Sequence, residues 1–368
     1  MIAAPPHPLT VLHIDTERGW RGGERQALWL AEGLVARGHR SLIAARPAEP
    51  LAVRAAELGL TVIPCEPWAE LDLIAAARLR RVVQRERVDI VHAHTGHAAA
   101  IGGLAKWGTS AKLVLTRRVD FPLKSNAGTR WKYRQASGII AVSRAVAGVL
   151  VSSGIARDRI HVVPSGVDLT RRLEPAPPSA LRALGVPAGA PLVVQVAALV
   201  DHKDPITFVR AIAAARREVP GLQALMVGEG PLRPVIQDTI AALGLAGAVH
   251  LAGYRFDTLG LLALADVVTL SSREEGLGTS LIDALFLGKP AAATAAGGIP
   301  EVVVDGISGL LVPPGDHAAL GAAIARLVTD RPLGTRLAAG ARVRAQEFSV
   351  ERTVDRTIEV YRKVLSSE

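Results

Sequence analysis

Short apolar runs recur along the chain, each followed by a polar or glycine-bearing turn and then by apolar residues at helical spacing. The first run is Leu9-Thr10-Val11-Leu12-His13-Ile14. After a glycine turn at Gly22-Gly23, the segment Glu24–Arg37 carries Ala27, Leu28, Leu30, Ala31, Leu34 and Val35 on one recurring face, and Gly38 is its stop. Further strands are expected at Ser41–Ala45, Thr61–Pro64, Asp89–Ala93, Lys112–Thr116 and Gly138–Val142, separated by helices that include Leu71–Arg85 and Gly96–Trp107. Uninterrupted apolar runs of this length mark parallel strands covered by helices on both faces.

Between Leu173 and Pro191 the rhythm breaks, with Pro175, Pro177, Pro178, Pro187 and Pro191 crowded together. It then restarts, with strands expected at Leu192–Ala197, Leu222–Val227, Val249–Leu251, Val267–Leu270 and Ala291–Ala295. Helices are expected at Ile206–Glu218, Leu232–Leu243, Thr258–Ala265 and Thr279–Phe286, and from Ala318 onward. The pattern predicts an α/β protein with three segments. Residues 1–174 form an N-terminal Rossmann-like domain, 175–348 a second one, and 349–368 a helix packing back toward the first. Two mostly parallel sheets in tandem place ligands at the carboxyl ends of their strands, in a cleft that both domains face.

Composition narrows the class. Of 368 residues, 49% are apolar and 21% charged, enough for two cores and too apolar for a disordered chain. The one cysteine, Cys65, excludes an internal disulfide and a cysteine metal cluster. Met1–Leu12 has no cationic start and contains Pro5, Pro6 and Pro8, and no run offers the roughly 18 apolar residues of a membrane span, so a soluble protein is expected. The net charge of +9 is concentrated in residues 101–180, around Arg117, Arg118, Lys124, Arg130, Lys132 and Arg134. Such a field suits an anionic small molecule or a phospholipid surface, although 36 Arg against 7 Lys would also fit a solvated arginine-rich face. With aromatics at 4% and no zinc finger or RNA-binding motif, no nucleic-acid partner is expected.

Four constellations could carry chemistry. Arg21-Gly22-Gly23-Glu24 joins the first strand to its helix, where glycines permit close approach and helix N–H groups face an anion. It lacks the three-glycine dinucleotide pattern and would also serve as a plain tight turn. His92-Ala93-His94-Thr95-Gly96-His97 follows a strand; imidazoles there can act as base, phosphate donor or metal ligand, or simply as bonded core residues. No cysteine pair or second ligand cluster supports zinc, and His94 stands closest to the expected cleft edge. Lys203, beyond the first strand of the second domain, would offset charge on a leaving diphosphate if it faces the cleft and would do nothing as a surface lysine. The fourth run, Ser271-Ser272-Arg273-Glu274-Glu275-Gly276-Leu277-Gly278-Thr279-Ser280-Leu281-Ile282-Asp283, leaves a strand through two glycines and enters a helix. N–H groups from Gly278 to Leu281 would point at an anion, while Asp283 suits sugar hydroxyls better than phosphate.

That run, together with Leu285, Gly288-Lys289-Pro290, Gly297-Gly298-Ile299-Pro300-Glu301, Gly309-Leu310-Leu311-Val312-Pro313 and Gly228-Glu229-Gly230-Pro231, resembles glycosyltransferase family 4 over nearly the whole chain. The resemblance implies the GT-B fold, two Rossmann-like domains facing across a cleft, and retaining transfer from a nucleotide diphosphate sugar without a cofactor or metal. It implies catalytic roles for His94, near the sugar on the acceptor side, Lys203, at the diphosphate, and Glu275, at the donor sugar. Donor contacts are implied for Gly22, Gly23, Glu229, Tyr254, Arg255, Gly276, Leu277, Gly278, Thr279 and Ser280, with Asp283 on the ribose hydroxyls.

Two positions depart from the family pattern. Asp283 stands where a second glutamate is usual, and Ala198 where an arginine is usual; Arg273, Arg117 or Arg118 could replace that lost cation, and Arg21 is a further candidate contact. No Asp-any-Asp motif follows a strand as in metal-dependent glycosyltransferases. The cationic region, interspersed with Phe121, Leu123, Trp131 and Tyr133, leads to an anionic or lipid-linked acceptor. The expected context is cell-envelope polysaccharide or lipopolysaccharide-core assembly by a cytoplasmic protein peripheral to the inner membrane. The rival readings are a nucleotide-sugar epimerase, which would convert donor without acceptor, and a binding protein that keeps the fold without transfer.

Overall fold

The computed structural model describes residues 7–171 and 176–367. The chain forms two compact units, Met1–Gly166 with Val350–Glu368 and Val167–Ser349. The boundary expected between residues 174 and 175 lies outside the described residues. The division falls at Gly166–Val167, ahead of the proline-rich stretch, because Val167 is already fully buried and its N–H donates to Phe348 O at 2.7 Å within the second unit.

In the first unit the elements are β1 (Thr10–Ile14), α1 (Gly22–Val35), β2 (Arg40–Ala45), α2 (Pro50–Glu57), β3 (Thr61–Pro64), α3 (Leu73–Arg85), β4 (Ile90–Ala93), α4 (Gly96–Ala105), β5 (Lys112–Arg117), α5 (Ala127–Gln135), β6 (Gly138–Ala141), α6 (Arg144–Ser152) and β7 (Ile160–Val162). Side chains fix several helix starts: Asp72 accepts from Ile74 N and Ala75 N, Thr95 from Ala98 N, and Ser143 from Val146 N. Asp72 therefore starts α3 at Leu73, slightly later than the apolar pattern implied. The sheet is parallel, in the order β3-β2-β1-β4-β5-β6-β7. Strand order reverses between β1 and β4, so a crevice opens at their carboxyl ends.

The second unit carries α7 (Pro178–Ala183), β8 (Leu192–Val196), α8 (Pro205–Ala215), β9 (Gln223–Val227), α9 (Arg233–Ala242), β10 (Val249–Gly253), α10 (Thr258–Ala263), β11 (Val267–Leu270), α11 (Thr279–Phe286), β12 (Ala291–Thr294), α12 (Ile299–Val302), β13 (Gly309–Val312), α13 (His317–Thr329) and α14 (Arg331–Ala345). Its sheet is also parallel, ordered β10-β9-β8-β11-β12-β13, with the reversal between β8 and β11. Val193, Ala224, Met226, Val267 and Ala292 pack under Phe208 and Ile212 of α8 and Leu320 and Ile324 of α13. Gly321 lets those two helices touch, since a Cβ there would lie 2.7 Å from Ala211 O.

The last helix, α15 (Val350–Ser366), belongs to the first unit. Val354, Ile358, Tyr361 and Val364 enter one core with Leu30 and Leu34 of α1 and with Val11, Ile90, Val114 and Ile140 of the sheet. Tyr361 is fully buried and its hydroxyl lies 2.6 Å from His92 Nδ1. Tyr361→Phe keeps the ring and leaves that nitrogen unpaired, at a cost of about 1–3 kcal/mol. Urea denaturation followed by a probe in the first unit measures it, and Tyr361→Ala is expected to cost more, about 3–5 kcal/mol.

Candidate active site

The reversal point of the second sheet gathers the strongest constellation. Lys203 closes a helical turn, Asp201–Lys203, after β8, and Ser272 and Glu275 follow β11. Lys203 Nζ pairs with Glu275 Oε2, and Ser272 Oγ donates to the same oxygen at 3.2 Å. Backbone bonds stitch the two loops: Ser271 Oγ donates to Lys203 O and Asp204 O at 3.0 and 2.9 Å, and Arg273 N to His202 O at 2.9 Å. Asp204 accepts this tightness, adopting φ +44° in the left-handed region while it caps α8 through Thr207. The expected lysine and glutamate are therefore together, partly buried, at the carboxyl ends of adjacent strands.

Beyond Glu275, Gly276 and Leu277 lead to Gly278, whose φ of +83° turns the chain into α11 with no side chain capping the helix start. Its first N–H groups, at Thr279 and Ser280, carry the partial positive charge of the helix end. Gly298 packs against this turn; a Cβ there would meet Gly276 O at 2.3 Å. Asp283 is buried in α11 and pairs with Arg171 at 2.7 Å, whose guanidinium also lies over the Phe286 ring. Sequence reasoning missed Arg171, because nothing in the local pattern marks it; only folding brings it to α11.

Other expected donor contacts are more dispersed. Glu229 is exposed and paired with Arg233, although its turn packs tightly on the loop after β8, where a Cβ on Gly230 would lie 2.4 Å from Leu199 O. Tyr254 is half-exposed and stands edge-on to Phe256, while Arg255 is held bidentate by Asp257. Arg273 binds Asp204 at 2.8 Å, and Arg117 bonds Tyr133 and Phe121 O. Ala198 is exposed. Among the described residues of this unit, Arg171 rather than Arg273 puts its cation beside Asp283.

The first unit's reversal point holds a buried polar chain. His92 and His94 share one side of the strand end, as expected, with ring centroids 4.2 Å apart, while His97 is exposed at the start of α4. His13 of β1, passed over in the sequence as a strand residue, joins them: its Nδ1 lies 3.0 Å from His94 Nε2. Arg118 Nη2 lies 3.2 Å from His94 Nδ1. Burial holds all three imidazoles neutral, pushing His13 down to about 3 and His92 and His94 well below their ordinary value. Arginine can only donate, so His94 Nδ1 accepts, His94 Nε2 carries the proton and donates to His13, and His13 keeps its own proton on Nε2, a buried atom without a partner. Both ring nitrogens of His94 are thus engaged, and it can meet a substrate only by releasing Arg118 or His13.

Asp15, at the end of β1, is a second residue that sequence reasoning missed, although strand-end placement could have flagged it. Oδ1 accepts from Glu17 N at 3.2 Å, and Oδ2 is buried without a partner. Burial and then the Glu24 carboxylate raise Asp15 to about 7, against the pull of the Glu17 N–H and Arg118. Glu24 holds Arg21 N at 2.7 Å, and Gly22 and Gly23 begin α1, with Gly23 facing the Arg118 side chain.

Comparison with known proteins agrees with this geometry. Residues 179–344 match the family described as glycosyl transferases group 1, and residues 20–171 match glycosyltransferase family 4. The D-inositol 3-phosphate glycosyltransferase of Salinispora arenicola (strain CNS-205) is 31% identical over 313 residues, covering 76% of this chain and 69% of that relative. The lipopolysaccharide core biosynthesis glycosyltransferase LpsE of Rhizobium meliloti (strain 1021) is 33% identical over half of each chain, 50% of this one and 52% of that one. Anabaena Alr3699/HepE, solved in complex with UDP-glucose, superposes with a TM-score of 0.84 at 24% identity, covering 96% of this chain and 100% of that one. The chain belongs to the family 4 glycosyltransferases. It is a glycosyltransferase of the GT-B fold.

The raised Asp15 carboxyl generates a pH signature. Between its unfolded value of 3.8 and about 7, the folded chain keeps a proton that the unfolded chain has lost, so stability falls as pH rises through that window. His13 acts oppositely, costing stability as pH drops below 6.5, but this contribution is shared by an Asp15 variant. From pH 5 to pH 8 the wild type should lose about 2–3 kcal/mol relative to Asp15→Asn, read as the difference between denaturation curves.

Proposed function

We propose that the enzyme transfers a sugar, with retention of anomeric configuration, from a nucleotide diphosphate sugar to an anionic or lipid-linked cell-envelope glycan. Its setting in this reading is the cytoplasmic face of a membrane. The observation that carries the donor half is the Lys203–Glu275–Ser272 cluster beside the uncapped start of α11. The net charge of +9 in residues 101–180 supports an anionic acceptor, and LpsE is a relative whose name places it in lipopolysaccharide core synthesis. No described helix is long and apolar enough to cross a membrane, so contact with a bilayer in this reading is peripheral.

The donor diphosphate sits against the N–H groups of Thr279 and Ser280, with Lys203 Nζ shared between phosphate and Glu275. As the bond to the anomeric carbon breaks, negative charge grows on the departing phosphate, where the ammonium and the helix start stabilise it. The acceptor oxygen attacks from the same face, and the departing phosphate oxygen takes its proton. Glu275, held by Lys203 and Ser272, orients the sugar hydroxyls rather than forming a bond to carbon. Asp283 takes the ribose hydroxyls, and Arg171 supplies a cation beside them where Ala198 leaves none. In the first unit, His94 is able to bind a ligand once Arg118 or His13 lets go.

UDP-sugars are the first donors to test, since HepE was solved with UDP-glucose. Protection from thermal unfolding identifies the donor, and mass spectrometry of envelope extracts detects the transferred sugar. Lys203→Ala should lower turnover by about 10²–10³-fold, beyond any loss of folded protein measured by circular dichroism. Unchanged turnover removes Lys203 from the mechanism. Donor converted to an epimer without acceptor, or donor bound with no transfer to any extract, overturns the transferase reading.

A further inference from the structure

Alternate residues of a strand point to the same face of the sheet, and in the first unit one such face runs from the core to the strand ends. On the side covered by α15, Val11, Ile90 and Val114 form an apolar base with Tyr361. Next come His13 and His92, paired in register, with Thr116 Oγ1 2.6 Å from His92 Nε2. Ile14 stands opposite Ala93, and His94 N donates to Ile14 O at 3.0 Å, so Asp15 and His94 follow side by side in the same register. Arg118, one residue past β5, joins them through its contact with His94.

This last layer is not fully paired. Arg118 Nη2 lies 3.2 Å from His94 Nδ1, but Arg118 Nε and Asp15 Oδ2 are both buried without a partner. One is a donor and the other an acceptor, in an interior where such groups are ordinarily satisfied. The carboxylates of Asp15 and Glu24 both act on the charge of the guanidinium. Gly23 leaves its stem room, since even an added Cβ there would stand 3.8 Å from Arg118 Cδ and Nε. Arg118 therefore has two acceptors within its reach, a neutral imidazole nitrogen and a carboxyl group. An ionised carboxylate is the stronger of these by roughly a factor of two, whereas a protonated carboxyl has no such advantage.

We infer that Asp15 is a positioning residue for His94, acting through Arg118: as a carboxylate it draws the guanidinium onto Oδ2 and opens His94 Nδ1 to a ligand, and as a neutral acid it leaves Arg118 on His94. The inference rests on His94 serving the sugar transfer proposed above. One proton separates the two states, and the neighbours set where it leaves. Burial, the Glu24 carboxylate of α1 and Glu17 of the same loop push Asp15 up to about 7, against the Glu17 N–H and Arg118. Burial keeps the imidazoles of β1 and β4 neutral and the Tyr361 hydroxyl of α15 protonated. Asp15 is thus the member of this polar chain whose charge changes near neutral pH, and His94 opens as pH rises.

The first measurement needs no variant. Crystal structures of the full chain at about pH 5.5 and about pH 8.5 should show Arg118 on His94 at the lower pH and on Asp15 Oδ2 at the higher one. In solution, kcat/KM for transfer from UDP-glucose to an envelope extract should rise about tenfold from pH 6 to pH 8, the course of one ionisation near 7. Asp15→Asn, which cannot ionise, should hold the low-pH rate throughout, with Arg118 on His94 in both crystals. Asp15→Glu should restore a rising limb at a shifted midpoint. Circular dichroism checks that both variants are folded.

Arg118 in one place at both pH values overturns the switch, as does a rising limb that Asp15→Asn retains. A merely structural Asp15 would lower the rate by the same factor at every pH, and that result overturns it too. Movement of Arg118 under a flat wild-type profile removes Asp15 from the reaction. If no sugar is transferred at any pH, yet Arg118 moves in the wild type and not in Asp15→Asn, the switch stands and the glycan-transfer reading alone falls.

Discussion

The Lys203–Glu275 pair ties the loop after β8 to the loop after β11 at the one place in the second sheet where strand order reverses. Taking two charges out of water costs more than a surface pair would return, so such a pair is weak evidence for stability. Its side chains are only 19% and 9% exposed, and the backbone around it is strained at Asp204. What the arrangement secures is an ammonium and a carboxylate of fixed position, poorly screened by water. Glycines at 228, 230, 278 and 298 serve the same end, because each lets backbone pass where a Cβ or an ordinary φ would force the loops apart.

Most of both sheets was legible in the apolar strand runs, because parallel strands buried on both faces are largely apolar. The parts that escaped have physical reasons. Helix α5 buries nothing, so it has no stripe, and β7 is three residues long at a sheet edge. Strand β13 was legible only as a motif, Gly309 to Val312, since its first residue is a glycine accommodating Val303 and Ala291. The boundary at Gly166–Val167 was hidden because prolines mark where a chain is stiff, not where its burial changes allegiance.

The candidate site divides in the same way. Lys203 follows one strand, and Glu275, the Gly278 turn and Asp283 follow another in a single motif-rich stretch, so spacing and motif point to them. Arg171 and His13 do not advertise themselves, because their importance is relational, whereas Asp15 was open to view at a strand end. Arg171 lies 112 residues from Asp283, and His13 lies 81 from His94. Sequence can nominate His94 as a chemical residue but cannot reveal that its two nitrogens are already spent. That fact turns on Arg118, a donor without acceptor capacity, which fixes where the protons of His94 and His13 lie.

Charge and apolarity followed different routes through the first unit. The cationic excess is a property of composition and was visible as a sum over residues 101–180. The apolar surface was not, since hydrophobic residues near the cations in sequence mostly fold inward, whereas Trp68 to Ile74 come from a loop outside the cationic stretch. Asp72 explains the difference: by spending its carboxylate on three backbone N–H groups, it starts α3 with Leu73 and Ile74 turned outward instead of into the sheet. A helix that needed only stability would place polar residues at those two positions. Large apolar side chains stand there nonetheless, beside Glu70 and its lysine, because the carboxylate of Asp72 and not an apolar stripe decides where the helix begins.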